Sequence, residues 1–371
     1  MDAASFWFAG GGTGGHIYPA IAVAEQILQL QPDAEIHFFC STRPIDSLVL
    51  DRTGFEYTAL PAKGFSLRPA RLLEFVRCFR ISCRAAEQLL AKSTSPIVVG
   101  VSGYVAAPAC WSAHKLGIPV VLVNVDIVPG RANKFIARFA DRIFVQFEET
   151  ADYFKKTRAV VDVVGCPLRT GFSKPDPAKA IQHLALHKDK NILLITGASS
   201  GSENINNTVC SLLDKLSSFS EDWQLVHLTG RANFQNVQQK YTAAKIAHKV
   251  LDYYDDMPDL LAAAALVIGR SGAVSVAEYA AAGAPSICMP YPYHRDRHQY
   301  LNAGKLVDAG AAVIVEDLPD DKDRTEWLWQ ELAELMSNQA ERREMAANCR
   351  SVTKANAASQ IAAALAEMRK N

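Results

Sequence analysis

Short, largely apolar runs alternate along the chain with longer amphipathic stretches. Runs of this kind are typical of strands buried in a parallel sheet. In the first half the predicted strands are Ser5–Ala9, Glu35–Cys40, Tyr57–Leu60, Ile97–Val101, Val120–Val123, Arg142–Val145 and Val160–Val164. Helical periodicity marks stretches between them, such as Ile17–Leu30 and Ala70–Ala91. This alternation predicts an α/β fold in which helices cover both faces of a parallel sheet.

The alternation restarts after Gly165–Pro175, a segment rich in turn-forming residues. Beyond it the predicted strands are Asn191–Ile195, Gln224–Leu228, Val250–Tyr253, Leu266–Ile268, Ser286–Met289 and Ala312–Val315. We therefore predict two doubly wound, Rossmann-like domains, residues 1–165 and 166–351, that face a cleft at the carboxyl ends of their strands. The tail from Thr325 to Asn371 has a helical pattern.

Composition narrows the class of protein. Lys plus Arg and Asp plus Glu each total 39 in 371 residues, so the formal net charge is zero. This balance argues against a general nucleic-acid binder, which needs surplus positive charge. The eight cysteines are scattered without metal-binding or CxxC spacing, which favours reduced thiols in a cytoplasmic protein. The first residues lack the basic and apolar regions of a signal peptide, and Gly and Pro interrupt the uncharged stretch Pro96–Ala113.

A glycine-rich loop, Gly10 to Gly15, joins the first predicted strand to the first helix. Glycines let the backbone approach a ligand closely, and the helix N-terminus attracts phosphate groups. Gly10, Gly12 and Gly15 also satisfy the dinucleotide pattern G-x-G-x-x-G, and Arg43 could accommodate the 2′-phosphate of NADP. An NADP oxidoreductase therefore remains one alternative at this point.

His16 follows this loop at the start of the helix. The helix dipole disfavours the imidazolium there, which leaves a neutral imidazole able to accept a proton. A capping or packing role is the alternative. Beside a glycine-rich loop we favour a functional role.

Two further loops repeat the strand–loop–helix pattern in the second half. Thr196–Ser202 is one, and Gly269–Glu278, with Glu278 inside the following helix, is the other. A carboxylate at Glu278 could bind the two ribose hydroxyls of a nucleotide. Two phosphate-binding loops, one in each half, favour a transferase with a nucleotide-linked donor and a phosphorylated acceptor over a dehydrogenase.

The ordered motifs resemble those of the MurG family of peptidoglycan glycosyltransferases. The matching segments are Gly11–Ala20, Gly103–Val105, Gly165–Arg169, Tyr254–Met257, Arg270–Glu278 and His298–Ala303. They run in order across nearly the whole chain, which makes the resemblance far more specific than any single motif. It implies a glycosyltransferase fold of the B type, with UDP-N-acetylglucosamine held by the C-terminal domain and no cofactor.

The resemblance also implies roles for individual residues. On the donor side, Ser199 contacts the diphosphate, Arg169 lies near the nucleotide, Tyr254 takes the backbone position that contacts uracil, and Gln299 faces the sugar hydroxyls. The segment Ala273, Val274, Ser275, Val276, Ala277 and Glu278 cradles phosphate and ribose, with Glu278 on the ribose hydroxyls. Thr13, Gly14 and Gly15 meet the acceptor diphosphate and the donor sugar. The final helix, residues 352–371, is expected to pack back on the N-terminal domain.

Some segments depart from the family pattern. Val123–Asp126 replaces the usual His-Glu-Gln-Asn, so Asp126 stands where an Asn is thought to touch the donor sugar. A carboxylate accepts hydrogen bonds but cannot donate an amide N–H. Gly100–Tyr104 has one glycine fewer than usual, and Gly197–Ser202 replaces Gly-Gly-Ser-Gln-Gly-Ala.

The expected acceptor is an undecaprenyl-diphosphate-linked sugar in the membrane. Phe65–Arg84 is a candidate docking patch, because apolar residues there interleave with Arg68, Arg71, Arg77, Arg80 and Arg84. A basic amphipathic helix can lie at an anionic membrane surface. The alternative is an ordinary surface helix with its apolar face in the core. The resemblance thus implies a cytoplasmic protein, peripheral on the inner face of the plasma membrane.

The expected reaction is direct transfer with inversion, in which the C4 hydroxyl of the acceptor attacks C1 of the donor sugar. His16 is the candidate base and Asp126 the second candidate. We expect no obligatory metal in donor binding. Besides the oxidoreductase, two alternatives remain: another UDP-sugar transferase of this fold and a non-catalytic nucleotide-sugar binder.

Overall fold

The computed structural model describes residues 4–66, 68–354 and 356–368. The chain divides into two compact units after Arg169, and the segment from Asn356 onward joins the first unit. Each unit is built on one parallel sheet, so the predicted pair of doubly wound domains is confirmed. None of the helices in the described part of the chain is long and apolar enough to span a bilayer.

The first unit contains a seven-stranded sheet. Its strands are β1 (Ser5–Ala9), β2 (Glu35–Ser41), β3 (Glu56–Leu60), β4 (Pro96–Val101), β5 (Val120–Asn124), β6 (Arg142–Val145) and β7 (Val160–Val163). The intervening helices are α1 (Gly14–Leu30), α2 (Pro44–Leu50), α3 (Pro69–Leu90), α4 (Ala106–Lys115), α5 (Arg131–Ile136) and α6 (Glu148–Ala151). The strand order is β3-β2-β1-β4-β5-β6-β7. The order therefore reverses between β1 and β4, which makes the carboxyl ends of these strands the expected place for a ligand.

The second unit contains a six-stranded sheet. Its strands are β8 (Asn191–Thr196), β9 (Trp223–Leu228), β10 (Ala247–Leu251), β11 (Leu266–Gly269), β12 (Ser286–Cys288) and β13 (Ala312–Ile314). Its helices are α7 (Pro177–His183), α8 (Glu203–Ser211), α9 (Leu213–Leu216), α10 (Phe234–Tyr241), α11 (Met257–Ala263), α12 (Ala273–Ala282), α13 (His298–Asp308), α14 (Asp321–Ser337) and α15 (Gln339–Val352). The order β10-β9-β8-β11-β12-β13 reverses between β8 and β11.

One predicted strand was misplaced. The sequence suggested Val250–Tyr253, whereas β10 runs over Ala247–Leu251 because its pairing with Gln224–Leu228 of β9 sets the register. Pairing with a neighbour, rather than the local apolar run, decides where an edge strand starts and stops.

The last described helix, α16 (Ala357–Met368), packs on α1. Ile361 and Leu365 are fully buried, and the Ser359 hydroxyl donates a hydrogen bond to Gln26 Oε1 of α1 at 2.7 Å. Residues 355 and 369–371 of the predicted tail lie outside the described residues.

Candidate functional site

The first glycine-rich loop lies at the carboxyl end of β1, where the strand order of the first sheet reverses. Gly11 and Gly12 have φ angles of +145° and +93°, which side chains disfavour. A Cβ at Gly10 would come within 2.8 Å of the Val101 carbonyl oxygen on β4. The glycines are therefore needed both for the turn and for its close contact with the neighbouring strand.

His16 lies in the first turn of α1, half-buried. Its Nδ1 is 3.1 Å from the Gly11 carbonyl oxygen and 3.4 Å from Thr13 Oγ1. Because a carbonyl can only accept, Nδ1 carries the proton in the neutral ring, and Nε2 carries the lone pair. That tautomer, assigned from the hydrogen-bond partners, suits a ring that accepts a proton at Nε2.

Two side chains of the β2–α2 segment hold the peptide groups around Gly12, and we call this pair the Gly12 clamp. The Asp46 carboxylate accepts the Gly12 N–H at 2.9 and 2.8 Å, while Arg43 Nη1 donates to the Gly12 carbonyl oxygen at 2.8 Å. Asp46 is fully buried and also accepts from the Ser41 N–H and hydroxyl. The Arg43 guanidinium lies 5.7 Å from the centre of the Tyr104 ring.

The sequence did not identify Asp46 as a site residue, and it assigned Arg43 to a possible NADP phosphate. The available signal was local: Pro44 begins α2, and Asp46 falls in the first turn of that helix. An acidic residue there is ordinarily explained by the helix dipole. Only the tertiary contact with Gly12 reveals its part in the loop.

Asp126, the second candidate base, follows β5 and is half-buried. The buried Asn124 side chain donates to the Asp126 carbonyl oxygen at 2.7 Å. Asn133 in turn donates to Asn124 Oδ1 at 2.6 Å and to Ser102 Oγ at 3.0 Å. These bonds fix the backbone after β4 and β5, the strands that follow β1 in the sheet order. His16 and Asp126 therefore lie along the same carboxyl edge.

Arg169 closes the first unit. Its guanidinium carbon lies 4.3 Å from the centre of the Tyr18 ring on α1. This cation–π contact ties the end of the unit to the helix that also carries His16.

In the second unit, a glycine-rich loop follows β8 at the corresponding reversal of strand order. Gly201 has φ +73°, and a Cβ on it would come within 2.3 Å of the Thr229 carbonyl oxygen. A Cβ at Gly197 would come within 2.1 Å of the Ser202 backbone nitrogen. Ser199 is partly exposed at the tip of this loop, in a short 3-10 turn.

The neighbouring loop after β11 leads into α12, which begins at Ala273. The first turns contain the predicted phosphate- and ribose-binding segment, with Ala273, Val274 and Val276 buried and Ser275, Ala277 and Glu278 half-buried. The hydroxyl of Tyr279 donates to the Arg270 carbonyl oxygen at 3.0 Å. Since β8 and β11 pair directly, the second and third predicted loops are neighbours at one edge of this sheet.

Tyr254 and Gln299 lie in other segments of the second unit. Tyr254 follows β10, is largely buried, and its hydroxyl is 3.3 Å from His183 Nδ1. Gln299 is in the first turn of α13, where its Oε1 accepts the Tyr291 N–H at 2.9 Å.

An exposed aromatic segment precedes α13. The His294 and His298 rings stack at 4.3 Å, and His298 Nδ1 lies 2.8 Å from Asp296 Oδ1. Burial raises the pKa of Asp296, but the hydrogen bond and charge of His298 outweigh it and hold that pKa below its usual value. The loop beside Gln299 is therefore held together by its own side chains.

The predicted membrane patch is solvent-exposed along the first half of α3. Leu73, in that half, is 76% exposed, Phe65 ahead of the helix is 46% exposed, and Ile81, just beyond the midpoint of the helix, is 43% exposed. The buried residues of the helix all lie in its second half: Ser82, Cys83, Ala86 and Leu90. Arg131 of α5 lies 5.9 Å over the Phe65 ring and extends the basic surface. Leu67, part of the predicted patch, lies outside the described residues.

Among residues 4–66, 68–354 and 356–368, no group of three or more His, Cys, Asp or Glu side chains is arranged to hold a metal ion.

Two family models match the chain: the glycosyltransferase family 28 N-terminal domain over residues 6–145 and its C-terminal domain over residues 192–362. A relative from Thermoanaerobacter sp. (strain X514), described as "UDP-N-acetylglucosamine--N-acetylmuramyl-(pentapeptide) pyrophosphoryl-undecaprenol N-acetylglucosamine transferase", is 33% identical over 362 residues, which cover 96% of this chain and 97% of the relative. A relative of the same description from Leuconostoc mesenteroides is 35% identical over 313 residues, covering 83% and 85%.

Solved structures share the fold of this chain. MurG from Acinetobacter baumannii is 25% identical, with a TM-score of 0.72, and the match covers 99% of this chain and 100% of that one. A UDP-GlcNAc 2-epimerase from Neisseria meningitidis, 14% identical, shares the fold with a TM-score of 0.68 over 99% of this chain and 100% of that one. The chain therefore belongs to glycosyltransferase family 28 and, within it, to the family of UDP-N-acetylglucosamine–N-acetylmuramyl-(pentapeptide) pyrophosphoryl-undecaprenol N-acetylglucosamine transferases.

Proposed function

We propose that this protein transfers N-acetylglucosamine from UDP-N-acetylglucosamine to the C4 hydroxyl of undecaprenyl-diphospho-muramoyl-pentapeptide, with inversion, in peptidoglycan synthesis. The observation that carries the proposal is the match to transferases of that description along nearly the full length of both chains. The glycine-rich loop at the strand reversal of each sheet supports it, because the reaction needs two diphosphate-bearing ligands. Membership of this family also decides against the oxidoreductase alternative.

On the donor side, the second unit would bind the UDP-sugar. Ser199 and the N-terminal turn of α12 supply hydrogen-bond donors for the diphosphate, and the Glu278 carboxylate accepts from the ribose hydroxyls. Tyr254 and Gln299 take the uracil-side and sugar-side positions. The loops' glycines support this assignment, since a Cβ at Gly197 or Gly201 would overlap backbone atoms.

On the acceptor side, Thr13, Gly14 and Gly15 would meet the acceptor diphosphate, and His16 would act as base. The acceptor O4 forms a bond to C1 of the sugar as the bond from C1 to the diphosphate oxygen breaks. Nε2 of His16 takes the hydroxyl proton, and UDP departs with the electron pair. The tautomer set by the Gly11 carbonyl supports this role, because it leaves the lone pair on Nε2. Asp126 is the second candidate base.

The decisive experiment measures UDP release from UDP-N-acetylglucosamine with and without the lipid-linked muramoyl acceptor. We expect release that depends on the acceptor and is much faster than with UDP-galactose or UDP-glucose. Acceptor-dependent release with another UDP-sugar would identify a different transferase of this fold. UDP binding without release under any condition would identify a non-catalytic nucleotide-sugar binder.

We further propose that the Phe65–Arg84 patch docks the protein on the inner face of the plasma membrane. The alternative, an apolar face turned into the core, accounts for the second half of α3 but not for Leu73 or Phe65, which are 76% and 46% exposed. Exposed arginines flank these side chains, as expected at an anionic lipid surface.

Charge reversal tests this docking. The triple variant Arg71→Glu, Arg77→Glu, Arg80→Glu should lose most binding to vesicles containing anionic phospholipid, because each basic side chain near such a surface contributes about 1 kcal/mol. A matched control makes the same change of charge at exposed positions of the second unit, Lys245→Glu, Arg343→Glu and Arg350→Glu. Equal vesicle binding by the two triple variants would exclude the patch.

A further inference from the structure

Three charged side chains are buried behind the two loops of the second unit that follow β8 and β11. We call these the donor-side loops. The side chains of Arg270, Asp317 and Arg324 are 9%, 0% and 2% exposed. Arg270 follows β11, Asp317 follows β13, and Arg324 lies in the first turn of α14. We call these residues the buried triad.

Arg270 links the loop after β8 to the segment after β12. Its Nη2 donates to Ser202 Oγ at 2.7 Å, and Ser202 is the N-cap of α8 at the end of the second glycine-rich loop. Its Nη1 donates to the carbonyl oxygens of Met289 and Pro290 at 2.9 and 3.2 Å. Asp317 Oδ2 lies 2.7 Å from Arg270 Nη2. One guanidinium thus bonds to the Ser202 side chain on one side of the loop that leads into α12 and to the backbone of Met289 and Pro290 on the other.

Asp317 and Arg324 both bond to side chains of α8, the helix that Ser202 caps. Asp317 Oδ1 accepts from the Asn204 side chain at 2.8 Å and lies 3.4 Å from Arg324 Nη1. Arg324 Nε donates to Thr208 Oγ1 at 2.8 Å, and its Nη1 donates to the Leu318 carbonyl oxygen at 2.6 Å. The first two turns of α8 are therefore attached to the triad.

The triad has an unbalanced charge. Two buried cations face one buried anion, which gives 2 − 1 = +1. Arg324 also pairs with Asp321, but that carboxylate is 85% exposed and is screened by water. Burying an excess charge opposes folding, because desolvation of an ion is costly. A negatively charged ligand at the loops in front of the triad would gain from that excess charge, since buried charges are weakly screened.

We propose that Asp317 and Arg324 are positioning residues of the donor site, and that the net positive charge of the buried triad strengthens binding of the donor diphosphate. The triad acts from behind the loops and through Arg270, without touching the reacting atoms. This inference rests on the proposed function in one respect, namely that the second unit binds a UDP-sugar.

The test compares ligands that share uridine and differ in phosphate charge. Dissociation constants for UDP, UMP and uridine are measured by calorimetry at fixed ionic strength. Arg324→Met makes the triad neutral and should raise the Kd for UDP about fivefold, with a smaller rise for UMP and none for uridine. Arg324→Lys keeps the charge and should keep the Kd for UDP within about twofold of wild type.

A double variant separates charge from packing. Asp317→Asn combined with Arg324→Met leaves Arg270 as the one charged member, so the net charge is again +1 and UDP affinity should recover relative to Arg324→Met. A purely structural role predicts that the double variant binds worse than either single change. Asp321→Asn is the matched control and should leave all three constants unchanged, because its carboxylate is exposed.

Equal loss of affinity for UDP and uridine in Arg324→Met, or loss in Arg324→Lys as large as in Arg324→Met, would overturn the proposal. If Arg324→Met does not fold, Arg324→Lys and the double variant are compared with wild type: both keep the net charge of +1 and should bind UDP within about twofold of it, and a larger loss for UDP than for uridine in either would overturn the proposal. Failure of the proposed function looks different: wild-type protein would then bind UDP no more tightly than uridine.

Discussion

The Gly12 clamp makes a specific prediction about the stability of the first unit. Asp46 is fully buried and accepts hydrogen bonds from the Gly12 N–H, the Ser41 N–H and the Ser41 hydroxyl. Asp46→Asn keeps the size of the side chain but replaces one acceptor oxygen by an N–H donor. At least one buried backbone N–H must then face another donor.

The expected cost follows from those contacts. If the amide oxygen takes the place of Oδ2, it keeps the two Ser41 bonds and the 2.8 Å contact with the Gly12 N–H, but as a neutral acceptor, and the amide nitrogen then lies 2.9 Å from that same N–H, donor against donor. Hydrogen bonds to a charged acceptor contribute about 1.5–3 kcal/mol, those to a neutral acceptor about 0.5–1.5 kcal/mol, and a buried donor without an acceptor adds a penalty of about 1–3 kcal/mol. We therefore expect Asp46→Asn to lower the free energy of unfolding of this unit by about 2–5 kcal/mol. A folded unit with reduced stability should remain, because domains are typically stable by about 5–15 kcal/mol.

Chemical unfolding followed by circular dichroism and tryptophan fluorescence measures the effect. Asp51→Asn is the matched control, since Asp51 ends the same helix but is exposed and accepts only the Tyr57 hydroxyl among its described hydrogen bonds, at 2.8 Å. The control should change stability by less than about 1 kcal/mol. If the two variants unfolded at the same denaturant concentration, Asp46 would not hold the loop.

The folded Asp46→Asn variant should also show a higher KM for the lipid acceptor at unchanged UDP affinity, because only the first glycine-rich loop is loosened.

Three further predictions concern other residues. His16→Ala should lower turnover by about 10²-fold or more while UDP binding persists, and near-normal turnover would remove His16 from the mechanism. Glu278→Gln should weaken UDP binding about tenfold but leave 2′-deoxy-UDP almost unaffected, and equal losses for both ligands would exclude a ribose contact. Burial lowers the pKa of His227 to about 3, from 6.5. Between these values the unfolded chain binds one more proton than the folded one, so stability rises with pH. The second unit should be about 2 kcal/mol less stable at pH 5 than at pH 7, and His227→Gln should remove most of this difference.

Much of the fold was predictable because its signals are local. Buried parallel strands are apolar along their length, so β1, β6 and β8 were placed within a residue of their observed bounds. Loops that need positive φ or close backbone contact require glycine, so the glycines alone marked Gly10–Gly15 and Gly197–Gly201 as candidate sites. The edge strand β10 was misplaced, since its pairing partner rather than its own apolar run sets its limits.

The side chains that shape the loops were not predictable in the same way. Asp46 and Gly12 are 34 residues apart, and Arg270 and Ser202 are 68 residues apart. A buried aspartate and a surface aspartate look alike in a sequence, because their environment comes from contacts between distant segments. The exposure of Leu73 could not be predicted from the sequence either, because an amphipathic pattern shows that a helix has an apolar face but not what covers that face.

The sequence by itself therefore determined the doubly wound class, the positions of the two glycine-rich loops and the ordered motifs of a family of glycosyltransferases. These depend on the period of the apolar residues, on the glycines that the turns require and on the order and spacing of the motifs. All three are features of the sequence itself. Tertiary structure alone decided the tautomer of His16, the Gly12 clamp and the charge of the buried triad. Each depends on which donors, acceptors and charges are removed from water together, and that is settled only when the strands are paired and the helices packed.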